Sequence, residues 1–434
     1  MKKKILLLIL ILCIALGGVG YAYYLTRETK SNKDLFISYL TKNEEPREYL
    51  KVLNNYNEKK EQNSYKTKGK VVLNVSGAED DESIQMLNNS KITFEGKRNP
   101  AKNMTEQEIT AVLGMGINVP LNYKQDGNIY GVQTNLLSRK YIAVKNENLK
   151  ELAKKFGVSS EDIPDKINFE KSDINPDQIK EFSDKYKKLI YEKLPDEKEF
   201  KKEKDGEKST ILVSITNKEL SLLFKSLLDE LRNEELIIEN AKKSNIDLEE
   251  YYDSIDNLIE DLDNLEDENG KAEIKMYIEN KKATGLDIFL YDENDVVAKI
   301  VSKMNDNNLN IKMDVKDEGS LDLYYGIDYD EKNIDINFDM KLTAEETNVE
   351  LKGKFEYKNI FALDDVEENY SIELRGDMDE INKLEINYTN LVTFDNDIEI
   401  EKISEEKSYI INNMSNEELQ SFITAIYTKL SNVK

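Results

Sequence analysis

The sequence predicts an α+β fold: a large curved antiparallel β-meander, half-barrel-like, covered by amphipathic helices and preceded by one N-terminal transmembrane helix. Three observations carry that expectation. From Gly270 to Phe394 apolar residues take alternate positions in segment after segment, as in Leu321, Leu323, Tyr325, Ile327 and again in Ile334, Ile336, Phe338, Met340, Leu342. A period of two belongs to strands with one buried and one wet face. Stripes at helical spacing recur behind capping residues, and Lys2, Lys3 and Lys4 precede an apolar run from Ile5 to about Leu25.

That run forms the first segment, residues 1–27. As a helix it would be about 30 Å long, the thickness of a bilayer core. The basic flank places the N-terminus in the cytoplasm and the remainder outside it, in a single-pass arrangement at the cell membrane. The alternative is a cleaved signal peptide, with Gly20 and Ala22 as the small residues before the cut. Lipid attachment through Cys13 is disfavoured, because Leu12 precedes it and further apolar residues follow.

Residues 28–64 carry Leu35, Phe36, Tyr39 and Leu40, then Tyr49, Leu50 and Leu53, with Pro46 dividing them. They read either as a stalk or as two helices packed on the following domain, and the apolar stripe favours packing. Residues 65–233 form a first unit of sheet and helices. Val71, Leu73 and Val75 open a series of strands to about residue 145, and Asp126-Gly127 marks a hairpin. Gly114 and Gly116 lack the third glycine of a phosphate loop and read as a bulge or turn. Asn148 is expected to cap a helix ended by Gly157, and Asn175-Pro176 to start another that Pro195 stops. The charged stretch 196–208 reads as an exposed loop. A strand at Ile211, Val213 and Ile215 feeds a Leu-rich helix with Asn217 as its expected cap.

Residues 234–434 hold an acidic helical connector, the main meander and a C-terminal helix, and form one continuous domain with 65–233 or a second one. In the connector Asp261, Asp263, Asp267 and Gly270 miss the spacing of a calcium-binding loop, so the acids read as a solvated face. Ser415 and Glu418 make a capping box for the last helix, whose stripe includes Leu419, Phe422 and Ile426. Glu207–Asn233 aligns without a gap with Glu406–Asn432, a strand feeding a capped helix in each. Duplication and a restricted alphabet of residue types explain this equally well.

Composition removes several chemistries. The 434 residues include no His and a single Cys, so histidine triads, histidine zinc sites and thiol catalysis outside the first segment are excluded. A net charge of −25 argues against nucleic acid and suits a basic protein partner. Carboxylate pairs abound, but nothing marks one out, and Trp, the broadest sugar platform, is absent. No catalytic, cofactor or metal residue is assigned, and a non-enzymatic protein is expected.

A sheet with one apolar face needs a cover, and the amphipathic segments 176–194, 217–231 and 415–431 are the candidates. In element order, over about residues 31–434, this resembles the bacterial lipoprotein-localisation carriers and related lipid-transfer lipoproteins, although the chain is longer and has no lipidated cysteine. The resemblance implies a greasy cup for an acyl chain or another apolar, envelope-derived ligand. Facing positions of the strands and last helix then give its lining: Leu323, Tyr325, Ile336, Phe338, Phe355, Ile372, Ile386, Phe422 and Ile426. The alternative is a structural or protein-interaction module of the cell envelope in which the same residues are filled core.

Overall fold

A computed structural model describes residues 31–40, 48–77, 82–114, 116–157, 164–167, 176–243, 248–266, 270–280, 282–305, 307–344, 347–378 and 381–431. The expected N-terminal anchor, Asn175 and Asp267 lie outside them. In chain order come α1 (Asn32–Leu40), α2 (Glu48–Gln62), β1 (Tyr65–Gly77), α3 (Glu82–Leu87), β2 (Ser90–Asn99), β3 (Met104–Val112), β4 (Asn118–Asp126), β5 (Ile129–Gln133), β6 (Tyr141–Lys145), α4 (Leu149–Lys155) and α5 (Pro176–Lys193). There follow β7 (Phe200–Asp205), β8 (Lys208–Thr216), α6 (Asn217–Arg232), α7 (Glu235–Lys243), α8 (Leu248–Glu266), β9 (Gly270–Glu279), β10 (Lys282–Asp292), β11 (Asp295–Met304) and β12 (Asn308–Val315). The chain closes with β13 (Gly319–Tyr329), β14 (Ile334–Ala344), β15 (Thr347–Lys358), β16 (Val366–Met378), β17 (Ile381–Phe394), β18 (Ser408–Ile410) and α9 (Asn416–Ser431).

The 18 strands belong to one sheet. Successive strands pair antiparallel from β1 to β6, from β7 to β13 and from β15 to β17, and β1 joins early to late strands by lying antiparallel to β17, in register from Tyr65↔Phe394 to Val75↔Leu384. The early strands thus continue the meander, a long-range pairing that a sequence pattern does not display. β18 lies parallel to β6. Contacts nevertheless divide the chain into two units, with changeovers that include one within β13 after Gly326 and one within β14 after Phe338. Residues 233 and 234 both fall in the first unit.

The first unit contains α1, α5 to α8 and β7 to β12. Its core sets Leu223, Phe224 and Leu227 of α6 against Ile211, Val213, Ile274, Met276 and Ile288 of β8 to β10, all buried. Thr216, not Asn217, caps α6: its hydroxyl accepts from the Glu219 N–H while the Glu219 carboxylate accepts from the Thr216 N–H at 2.8 Å. That box frees Asn217 to lie buried. Ser221 Oγ donates to the Leu262 carbonyl at 2.8 Å and ties α6 to α8. The charged stretch after Pro195 holds a strand rather than only a loop: β7 pairs with β8 and needs only Phe200 inside, edge-on to Phe36 at 5.4 Å, while its charged residues face outward.

The second unit contains α2, α3, α4, α9, β1 to β6 and β15 to β18. Tyr49 and Tyr56 of α2 are buried against Tyr65, Ile334, Ile360, Val366 and Val392, so both α1 and α2 pack rather than form a stalk. The Asp126-Gly127 hairpin forms, with Gly127 at φ 60°, and Gly116 at φ 79° turns the chain between β3 and β4. Asn148 sits at φ 54° and makes no side-chain cap, its own left-handed backbone doing the turning. The Ser415–Glu418 box starts α9 as expected. That helix does not cover β14 to β17: Phe422 meets the Tyr409 ring of β18 at a tilt, 5.2 Å between centroids, and Lys429 Nζ donates to the Leu137 carbonyl at 2.8 Å. The two aligned stretches therefore share a capping box but differ in their strand, nine antiparallel residues in β8 and three parallel ones in β18.

Candidate functional site

Alternation places Val366, Glu368, Tyr370, Ile372 and Leu374 on one face of β16. Register sets them opposite Val392, Asn390, Tyr388, Ile386 and Leu384 of β17. The same face continues on β1 through Thr67, Gly69, Val71, Leu73 and Val75, and on β2 through Phe94 and Ile92. Burial changes along it. Val366 and Val392, beneath α2, are sealed, and Val75 near the far end of β1 is buried as well, whereas Val71, Leu73, Ile372, Leu374, Leu384 and Ile386 between them are half-buried and Ile92 is 42% exposed. An apolar floor thus runs out from under α2.

A ladder of rings crosses this floor. Phe338 stacks on Phe355 at 5.9 Å, Phe355 meets Tyr370 edge-on at 5.3 Å, Tyr370 stacks on Tyr388 at 5.0 Å, and Tyr388 on Phe94 at 6.1 Å. Two glycines make room for it. A Cβ on Gly353 would overlap the Phe338 ring, and one on Gly69 would strike the Thr389 carbonyl and the Phe94 ring. Rings laid over glycine recover the burial that the missing side chain forfeits.

Where the ladder meets α2 the face turns polar. Glu368, 3% exposed, accepts from Tyr56 Oη and Lys60 Nζ at 2.8 Å each on Oε1, and from Asn390 Nδ2 at 2.9 Å and Tyr388 Oη at 3.4 Å on Oε2. Burial pushes its carboxyl up, but the Lys60 ammonium and the bonds from Lys60, Asn390 and Tyr56 outweigh that and hold it below the usual range. Burial, then the Glu368 charge, pushes the Tyr56, Tyr370 and Tyr388 phenols up, so all three stay protonated at neutral pH. Asn390, 5% exposed, leaves its Oδ1 buried without a partner. Turning the amide over would only aim that oxygen at the Glu368 carboxylate.

Of the residues expected to line a cup, Ile336, Phe338, Phe355, Ile372 and Ile386 lie on this one face. Ile336 packs at the α2 end, Phe338 and Phe355 head the ladder, and Ile372 and Ile386 face each other directly. Leu323 and Tyr325 belong to the other unit, opposite Ile311 and Leu309 of β12. Phe422 is turned to Tyr409, and Ile426 follows it on α9. Pattern reading passed over Tyr56, Lys60, Glu368, Tyr370, Tyr388 and Asn390. The available signal was parity: Glu368 and Asn390 sit at positions that their neighbours fill with apolar residues.

Two clefts of mixed lining also open, the second of them reaching Gly69 and Phe94 at the end of the ladder. One of about 760 Å³ lies in the first unit by Tyr277, Asp287 and Lys303, and one of about 460 Å³ in the second by Lys68, Lys70 and Thr389. Among the described residues no three acidic or thiol side chains converge as metal ligands. None of the described helices is long and apolar enough to cross a membrane, which leaves open a crossing by strands and leaves the Ile5–Leu25 run untouched.

No known family model matches the sequence, and no curated protein matches it. Among solved structures, one described as "Asymmetric conductivity of engineered proteins" is 7% identical, with 76% of this chain and 99% of that chain covered, at a TM-score of 0.21. A triple mutant of Rh. blastica porin is 8% identical, with 76% and 98% covered, at a TM-score of 0.20. At these scores neither fold nor function is drawn from the likeness.

Proposed function

We propose that this is a non-enzymatic, membrane-anchored protein whose bulk lies outside the cytoplasm, and that it holds an apolar ligand against the half-barrel-like floor of its second unit. The observation that supports it is the half-buried face of β15 to β17, β1 and β2, where Ile372, Ile386, Val71 and Leu73 are neither sealed by a helix nor replaced by polar residues. Apolar faces of this extent on soluble domains mark binding surfaces more often than idle ones. The aromatic ladder adds flat, polarisable contacts that accept a chain or ring at little entropic cost. The ligand lies on an open floor beside α2, not inside an enclosed cup.

Displacement of the neutral fluorophore N-phenyl-1-naphthylamine from the delipidated full-length chain tests this. Phe355→Ala and Ile386→Ala together should weaken binding about thirtyfold, since each removes contacts of roughly 1 kcal/mol. Unchanged binding in the double variant, or no binding by the wild type, sinks the reading.

A second reading has its own support: the spaces between helices and sheet are filled by side chains in both units. The protein would then be an interaction module, with a net charge of −25 favouring a basic partner. Cross-linked partners that dissociate steeply with salt, and no lipid in an extract of the purified chain, would favour it.

A further inference from the structure

We infer that the ligand of the apolar floor is a single-chain amphiphile whose head is uncharged and donates a hydrogen bond, a hydroxyl-bearing head above all. The inference rests on the apolar-ligand reading and adds the chemistry of the head. Tyr388 joins the two parts of the site: its ring is a member of the ladder, 5.0 Å from Tyr370 and 6.1 Å from Phe94, and its hydroxyl lies 3.4 Å from Glu368 Oε2. A chain lying along the strands over Leu374–Leu384 and Ile372–Ile386 crosses the Tyr370–Tyr388 row and brings its head to the next one, Glu368–Asn390, with Tyr56 and Lys60.

That cluster specifies the head by what it lacks. Glu368 already takes four donors, from Tyr56, Lys60, Asn390 and Tyr388. What stays unanswered is an acceptor, Asn390 Oδ1, buried and without a partner. An unmade hydrogen bond at a buried group is costly, and a donor arriving there recovers that cost. Charge decides between donors. An anionic head meets the Glu368 carboxylate and a cationic one meets the Lys60 ammonium, whereas the pair, 2.8 Å apart, is neutral as a whole. The Lys60 side chain is 27% exposed against 3% for Glu368, so the cluster opens on the Lys60 side.

The test uses four probes of one chain length on the delipidated full-length protein: dodecan-1-ol, its methyl ether, dodecylamine and laurate, each displacing N-phenyl-1-naphthylamine. The alcohol should bind about tenfold tighter than the ether, the worth of a hydrogen bond made to a buried acceptor, and tighter than amine and laurate. Asn390→Leu should bring the alcohol down to the ether while leaving the ether unchanged. Because the comparison among probes is made on the wild type, it stands even where that variant fails to fold. Alcohol and ether binding alike, as a trapped water on Asn390 would cause, overturns the inference and spares the apolar-ligand reading. So does laurate or amine binding as tightly as the alcohol. Failure of all four to bind overturns both.

Discussion

The two units use the same parts to opposite ends. In the first, the inward positions of β8 to β10 are Ile211, Val213, Ile274, Met276 and Ile288, and helices α5, α6 and α8 bury them. In the second, the corresponding face carries Glu368, Asn390, Tyr370 and Tyr388 among its aliphatic residues, and α2 covers one end of it. Both units open a helix with the same reciprocal box, Thr216–Glu219 and Ser415–Glu418. Yet α6 lies on its sheet and α9 turns Phe422 to a short parallel strand. A period of two thus fixes which side chains share a face; whether that face becomes core or surface depends on which helix arrives.

The sharpest way to break this comparison is to truncate one large side chain in each unit. Phe224→Ala, 3% exposed in the first core, should cost about 3–5 kcal/mol in denaturant unfolding because its cavity cannot fill with water. It should leave displacement of N-phenyl-1-naphthylamine unchanged. Ile386→Ala on the half-buried floor should cost about 1 kcal/mol, since much of the side chain is already wet. Equal costs would mean that the floor is core after all.

Next in size is the buried charge. Lys60→Met leaves Glu368 ionised among neutral donors and should cost about 3 kcal/mol in the same measurement. Glu368→Leu strands Tyr56 Oη and Asn390 Nδ2 and should cost a similar amount. The double variant should recover part of both losses, because no charge is then left buried. Additive losses would show that the pair is not coupled.

Strands were legible because their chemistry is local. β9 to β17 fall within the alternating run from Gly270 to Phe394, and β1 to β6 within 65 to 145. The Ser415–Glu418 box was legible for the same reason, whereas the cap of α6 was expected one residue late, at Asn217 instead of Thr216. What was not legible depended on partners distant in sequence: β1 beside β17, β7 as a strand despite its charge, and α9 away from the meander. The site divides likewise. Phe355, Ile372 and Ile386 follow from parity, and that is why they share a face. Leu323 and Tyr325 satisfy the same parity but are carried into the other unit. Lys60 and Tyr56 reach Glu368 across some 300 residues of chain, a distance over which periodicity carries no information.

The smallest expected effect concerns pH, and it separates the polar cluster from ordinary surface acids. The folded-state pKa of Glu368 lies below its ordinary value of 4.5, so ionised Glu368 stabilises the fold. That contribution is complete above about pH 4.5 and is lost as pH falls through the depressed value, where folded and unfolded chains bind the same proton. Glu368→Gln keeps the side chain's shape and removes the charge. Wild type should exceed it by about 1 kcal/mol near pH 6, on the order of a single hydrogen bond, and the gap should close as pH falls through the depressed pKa and the carboxyl takes up its proton. Other carboxylates titrate in the same window in both proteins and cancel in the difference. A gap that stays constant with pH would mean that Glu368 holds α2 through shape and neutral hydrogen bonds alone. Its partnership with Lys60 would then contribute nothing, and the polar end of the floor would be no more than a filled core with an acid in it.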